Sequence, residues 1–277
     1  MTDVFGDVRC ELGESALWDG ERLYWVDITR GQVHARDWNG GPTRSLAVPG
    51  PVGSVALRAG GGLVAALRHA IAFCDVDLGT VEVVREVDEP EGNRLNDGAV
   101  DPAGRFWVGS MDLGERSPSG SFYRLDPDLG LTRVFGGIIC SNGPAWSPEG
   151  DVLYHVDSTR RVIRCYDTDP ATGELGPERI FATDHDCYPD GLAVDAEGGV
   201  WNCKWDGSRV VRYAPDGTID RVIRLPVSRP TRCAFAGPGL DVLAVTSASL
   251  GSADELAGRV LLVDPGVRGL PAPAFAG

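Results

Sequence analysis

The chain has 277 residues, 43% hydrophobic and 24% charged, proportions that belong to a folded globular protein and exclude wholesale disorder. Forty acidic residues against 26 basic ones give a formal charge of −14, which argues against an electrostatically driven nucleic-acid binder. Lys204 is the single lysine, so a polybasic membrane patch has no material to be built from.

The opening residues, Met1 to Asp7, carry acids where a signal peptide needs a basic region and then an apolar run. No stretch approaches the roughly 18 apolar residues of a membrane-spanning helix. The seven cysteines are odd in number, scattered and without a CxxC pair, which supports small buried thiols in a reducing cytoplasm over disulfides or a zinc-thiolate centre.

In chain order, short alternating runs at 23–28, 63–67, 105–109, 152–156, 199–203 and 242–246 have the length of strands, and none is followed by a helical period. They sit within a repeated unit. It reads Glu14-Ser-Ala-Leu-Trp-Asp-Gly-Glu-Arg-Leu-Tyr-Trp at the start and Asn96-Asp-Gly-Ala-Val-Asp-Pro-Ala-Gly-Arg-Phe-Trp in the third copy. The fourth copy is Asn142-Gly-Pro-Ala-Trp-Ser-Pro-Glu-Gly-Asp-Val-Leu-Tyr and the fifth Asp190-Gly-Leu-Ala-Val-Asp-Ala-Glu-Gly-Gly-Val-Trp, with weaker copies from Gly53 and Thr231. Their central apolar residues, Trp18, Leu57, Val100, Trp146, Val194 and Phe235, are spaced by 39 to 48 positions. A unit of about four strands cannot bury both its faces alone, and radial repetition solves that problem. Six copies predict an all-β fold, a six-bladed β-propeller forming a single domain over 1–277. The run 259–264 lacks a following strand, so the N-terminal segment 4–10 is expected to complete the last blade.

The first strand of each blade lines the central channel, and the residues just before it ring one mouth. Four residues ahead of their anchors stand Glu14, Asn96, Asn142 and Asp190, while the other two units place Gly53 and Thr231 there. Taken singly, Asn142 and Asp190 precede glycine and read as turn formers, whereas glutamate is not a turn residue. Together the four form a hard-oxygen set suited to one divalent ion: Ca, Mg or Mn, with Zn or Fe(II) as further options.

The segments Gly13-Glu-Ser-Ala-Leu-Trp18, Asn93-Arg-Leu-Asn-Asp-Gly98, Ser141-Asn-Gly143 and Tyr188-Pro-Asp-Gly191 resemble the motifs of the regucalcin/gluconolactonase (SMP-30-like sugar lactonase) family. Asp101-Pro-Ala-Gly-Arg-Phe-Trp-Val-Gly-Ser-Met111 and Ala234-Phe-Ala-Gly-Pro238 resemble them too, and the match runs in order along nearly the whole chain. The resemblance implies a six-bladed propeller that opens aldonolactones with a divalent metal. It carries the metal-ligand role to Glu14, Asn142 and Asp190, and the substrate-contact role to Arg94 and Asn96. The family's acidic residue after the Gly-x-Met segment has no clean counterpart, and Glu115 is the nearest. The forms Asn142-Gly-Pro and Tyr188-Pro-Asp resemble bacterial pentonolactonases, which makes a pentonolactone as good a substrate as gluconolactone.

Asp190 is assigned as general base beside the metal, and Tyr188 as a pocket wall. The expected partner is a small sugar lactone, with the chain a cytoplasmic monomer or weak homo-oligomer. His155 is read as a structural residue on an inner strand, and His185 as either a substrate contact or exposed. Trp18, Trp107, Trp146 and Trp201 are expected to pack the blades, and Asp101, Asp195 and Glu197 to be solvated in turns. Two other functions compete: a calcium-binding or interaction propeller without turnover, and a metal-dependent aryl-ester or organophosphate hydrolase on the same scaffold.

Overall fold

The structure is a computed structural model that describes residues 2–277. Strand β1 (Asp3–Phe5) precedes the first blade, formed by β2 (Gly13–Trp18), β3 (Arg22–Asp27), β4 (Gln32–Asp37) and β5 (Arg44–Ala47). The second blade is β6 (Val52–Arg58), β7 (Leu63–Leu67), β8 (Ala70–Asp75) and β9 (Thr80–Glu86). The third is β10 (Asn93–Val100), β11 (Phe106–Asp112), β12 (Gly120–Leu125) and β13 (Leu131–Ile138). The fourth is β14 (Ser141–Trp146), β15 (Val152–Asp157), β16 (Val162–Asp167) and β17 (Arg179–Thr183). The fifth is β18 (Tyr188–Val194), β19 (Val200–Trp205), β20 (Arg209–Tyr213) and β21 (Ile219–Arg224). The sixth is β22 (Pro230–Ala236), β23 (Val242–Ser247) and β24 (Val260–Val263), and β25 (Ala274–Phe275) follows it.

The six first strands pack side by side around a ring that closes from β22 back to β2, which is the six-bladed propeller the repeat predicts. Two terminal segments lock the ring. The outer edge of β24 pairs antiparallel with β1, so residues 3–5 rather than the whole 4–10 segment complete the sixth blade. The sequence gives no warning of β25, which is only two residues long, pairs in parallel with the end of β6 and buries Phe275 completely.

Every first strand carries one extra residue relative to its neighbour. Glu14 faces Val26 but Leu17 faces Tyr24, and the same slip occurs at Val52/Ser54, Leu95/Gly98, Asn142/Ala145, Pro189/Leu192 and Pro230/Cys233. Because side chains alternate with a period of two, one added residue reverses the faces of the strand on either side of it. Ser15 takes the left-handed conformation at its bulge (φ 53°), as Gly143 does in the fourth blade, and the Ser15 hydroxyl ties to Val55 of the next blade.

The turn acids correct the sequence reading. Asp101 and Asp195 are buried, not solvated, and only Glu197 is exposed. Asp101 accepts the backbone N–H groups of Ala103 and Arg105 and reaches six residues on to the Trp107 indole at 2.8 Å. Asp195 repeats the pattern with Glu197, Gly199 and the Trp201 indole, and the two acids are paired by Arg105 and Arg212. The same residue thus shapes the turn and satisfies the polar edge of a buried tryptophan, which would otherwise go unpaired. The four tryptophans are blade packing, as expected. All seven cysteines are buried free thiols.

His155 lies on β15, the second strand of its blade, and not on the inner strand. Its ring is fully buried, 2.8 Å from the Ser141 hydroxyl and edge-on to Phe122 and Phe135. Burial pushes the imidazole down to about 3, so it stays neutral in the fold. The unfolded chain takes up that proton near pH 6.5, so the contribution is complete above 6.5 and is lost as pH falls from there toward 3. Denaturant titrations at pH 7.5 and 5.5 are expected to show a loss in the wild type that is smaller by about 1 kcal/mol in His155→Gln. Equal losses in the two proteins would mean that another group carries the effect.

Candidate functional site

The segments that enter the first strands are held by a device the sequence analysis missed. Asp27 closes β3, and its carboxylate accepts the N–H groups of Glu11 (2.8 Å) and Leu12 (3.3 Å), just ahead of Glu14. Asp157 closes β15 and does the same for Ile139 and Cys140, just ahead of Asn142. Both aspartates are fully buried, and the repeated Val-Asp at 26–27 and 156–157 was the signal available.

Glu14, Asn96, Asn142 and Asp190 line one cavity of about 370 Å³ at a channel mouth, together with Arg94, Glu115 and Tyr188. Every residue expected at the site is therefore on its wall. Register separates them slightly. Glu14 and Asn142 are the last paired residues before their bulges, whereas Asn96 and Asp190 lie inside theirs. The two empty repeat positions also have reasons. A Cβ at Gly53 would meet the Asn96 carbonyl oxygen at 2.4 Å, and Thr231 spends its hydroxyl on the Gly13 carbonyl and Thr246.

Hydrogen bonds run through the polar wall from blade to blade. Arg94 donates to the Asn96 side-chain oxygen, and Asn96 Nδ2 donates to Asn142 Oδ1 at 2.9 Å. Asn142 Nδ2 donates to Ser158, whose hydroxyl donates to the Pro189 carbonyl at 2.6 Å, one residue before Asp190. The amide of Asn142 is thereby fixed from both sides. Beneath this layer Asp97 accepts the Gly98 and Gly143 N–H groups at 2.8 Å each and pairs with Arg232 from across the channel. Asp97, Arg232 and Ser158 were not anticipated. Asp97 and Arg232 each follow directly on the repeat position that the ring argument singles out, Asp97 in a turn-like Asn-Asp-Gly string, and Ser158 comes from a position outside the repeat.

The electrostatics of the cavity are those of two acids without enough positive charge. Burial, then the nearby Asp97 carboxylate, pushes the Glu14 carboxyl above its ordinary range. Burial and the Glu14 charge push Asp190 well up in turn. Arg94 and Arg232 lie nearby, but Arg94 is engaged by Asn96 and the Leu95 carbonyl, and Arg232 by Asp97. The Glu14 carboxylate accepts one hydrogen bond, from the Ser15 N–H at 2.6 Å. Two carboxylates and an oriented amide oxygen are the donor chemistry of a hard divalent cation, whose charge would balance theirs, so these residues fit such an ion. A second grouping, Asp184, Asp186 and Cys187, is neutralised in another way: Lys204 binds Asp184 at 2.6 Å and Arg209 binds Asp186 at 2.7 Å. His185 is exposed beside it and does not line the cavity.

The chain is 37% identical to a 6-deoxy-6-sulfogluconolactonase of Pseudomonas putida, a match covering 96% of this chain and 95% of the relative. It is also 37% identical to an L-arabinolactonase of Azospirillum brasilense, over 99% and 95% of the two chains. The fold superposes on a calcium-binding protein, regucalcin, from Agrobacterium tumefaciens with a TM-score of 0.93 at 26% identity, covering 99% of this chain and 97% of the other. The model of the SMP-30/Gluconolactonase/LRE-like region matches residues 12–249, and this chain belongs to that family.

Proposed function

We propose that the protein is a metal-dependent hydrolase that opens sugar aldonolactones, pentono- or gluconolactone, to aldonic acids. The observation that carries the reading is the meeting of Glu14, Asn142 and Asp190 in one buried cavity whose wall also bears Arg94, Asn96 and Glu115. Relatives at 37% identity are named as lactonases, which agrees with it.

Glu14, Asn142 and Asp190 would hold the divalent ion, of identity Ca, Mn, Mg, Zn or Fe(II). When bound, the ion stabilises the negative charge that builds on a lactone carbonyl oxygen under attack. Arg94 and Asn96 hydrogen-bond the sugar hydroxyls, Glu115 accepts from another, and Tyr188 closes the wall. These contacts fix the ring so that the attacked carbon faces the Asp190 side of the cavity. Asp190 takes a proton from the attacking water as the new C–O bond forms. The ring C–O bond then breaks, and the proton passes to the departing ring oxygen, leaving a hydroxy acid. The acid product carries a new negative charge, and Arg94 favours it. Seven buried thiols suit a reducing cytoplasm.

Calorimetric titration with a divalent ion is expected to show strong loss of affinity in Glu14→Gln, which removes one of two ligand charges, and a smaller loss in Asn142→Ala. Unchanged affinity in both would move the metal elsewhere.

Turnover of aldono-1,4- and 1,5-lactones, corrected for spontaneous opening, is expected to vanish with chelator and return with added ion. At saturating ion, Asp190→Asn keeps a ligand oxygen yet is expected to lose at least ~10²-fold in kcat, the size of general-base catalysis. Arg94→Ala is expected to raise KM while ion affinity stays near wild type, since a guanidinium is no ligand for a cation. Near-normal kcat in Asp190→Asn would remove the base assignment, and a wild type inert on every lactone would leave the binding-propeller reading in its place.

A further inference from the structure

The bulge that carries Asp190 is held by a side chain from the next strand of its own blade. Pro189 pairs with Lys204 and Leu192 with Asn202, so Asp190 and Gly191 together stand opposite Cys203 alone. A bulge takes its extra residue out of the ladder, and the backbone groups there need other partners. Asn202 on β19 supplies one: its Nδ2 donates to the Asp190 carbonyl at 2.7 Å and to the Gly191 carbonyl at 3.2 Å. The side chain is fully buried, and its Oδ1 has no hydrogen-bond partner. That idle oxygen is unfavourable, so what the amide contributes lies in its two bonds to the bulge. In the other blades the residues facing the first paired position after the bulge are Tyr24, Ala66, Val108, Tyr154 and Val245. None is an amide. Blade six has a lighter counterpart in Thr246, whose hydroxyl donates to the Arg232 carbonyl at 3.1 Å.

Packing holds the same bulge on its flanks. A Cβ on Gly191 would meet the Arg232 Cα at 2.8 Å, and one on Gly143 would meet the Asp190 carbonyl oxygen at 3.1 Å. The Asp190–Gly191 backbone is therefore wedged between blades four and six, and Asn202 fixes the tilt of its carbonyls. Such support matters because Asp190 lies buried near the Glu14 charge, which pushes its carboxylate away. Resting on the lactonase reading above, we infer that Asn202 is a positioning residue, whose amide locks the Asp190–Gly191 bulge so that the Asp190 carboxylate stays in the cavity as ligand and base. Asn202 does not line the cavity and acts only through Asp190. Groups that hold a metal ligand in place carry about ten- to a hundredfold of the affinity or activity of such sites.

The test sets Asn202→Leu, which keeps the volume and removes both donors, against Val211→Ala. Val211 is buried on β20 directly opposite Asn202, so its truncation loosens the same blade while leaving the amide in place. Thermal melting is expected to fall in both. Calorimetric titration with Mn²⁺ is expected to show at least about tenfold weaker binding in Asn202→Leu and less than about twofold change in Val211→Ala. With Mn²⁺ saturating, kcat on an aldono-1,4-lactone is expected to drop about tenfold in Asn202→Leu with KM nearly unchanged, and to hold in Val211→Ala. Asn202→Ser keeps one donor and is expected to recover part of both losses; it also replaces Asn202→Leu in the comparison should the latter not fold. Losses in the folded Asn202 variant no greater than those of Val211→Ala overturn the inference and leave the lactonase reading intact. A wild type that binds Mn²⁺ yet opens no lactone removes the lactonase reading, and the Mn²⁺ titrations alone then decide on Asn202. A wild type that neither binds Mn²⁺ nor opens a lactone overturns both.

Discussion

The site depends on one extra residue per blade. A strand that paired without interruption would keep one set of side chains turned the same way from end to end. The bulges at the heads of the six first strands reverse that phase, so each strand presents one kind of surface at the mouth and another deeper in. Above the bulges lies the cavity with Glu14, Asn142 and Asp190. Below them Leu17, Ala56, Ala99, Ala145, Ala193 and Ala234 border a mostly apolar cavity of about 470 Å³ at the far mouth, crossed by residues 270–273 of the C-terminal tail. Between the two ends sits the Asp97–Arg232 pair. A charged site and an apolar end can share one channel because the backbone changes phase between them.

Two like charges held close in a water-poor cavity are unfavourable, and the fold accepts that cost with locally rigid structure. Asp27 and Asp157 clamp the incoming segments through their backbone N–H groups, and Asn142 is fixed by hydrogen bonds to Asn96 and Ser158. Asp97 spans three blades by accepting from Gly143 and pairing with Arg232. With these supports the acids cannot relax apart, so their mutual destabilisation persists until a cation or a proton relieves it. Such a poised cluster would favour a divalent ion for the same reason that it destabilises the unliganded channel.

The architecture was legible because a propeller writes itself as a period, and the period survives even in copies as degenerate as those at Gly53 and Thr231. The seven residues expected at the site proved to share one cavity, since equivalent positions of a ring point toward the same axis. Supporting residues were less legible. Arg232 reaches Asp97 across the channel, a contact between positions 135 apart that no local pattern encodes. Trp205 ends the strand whose other tryptophan, Trp201, is buried structure, and the two look alike in sequence. Turn aspartates were misjudged because a turn normally means solvent, whereas Asp101 and Asp195 turn inward to meet an indole.

The repeat positions that hold no ligand shape the site as much as those that do. A ring of six could in principle surround an ion completely, leaving no room for a substrate beside it. Gly53 is required by the approach of the Asn96 backbone, and Thr231 is committed to the joint between the sixth and first blades. The four oxygen-bearing repeat positions thus come from blades one, three, four and five, and blades two and six add none to the cavity. An ion held by three side chains would keep further coordination positions open, which is the condition for a catalytic rather than a purely structural centre. The constraint that empties two positions of the ring would therefore also leave space for a substrate beside the ion.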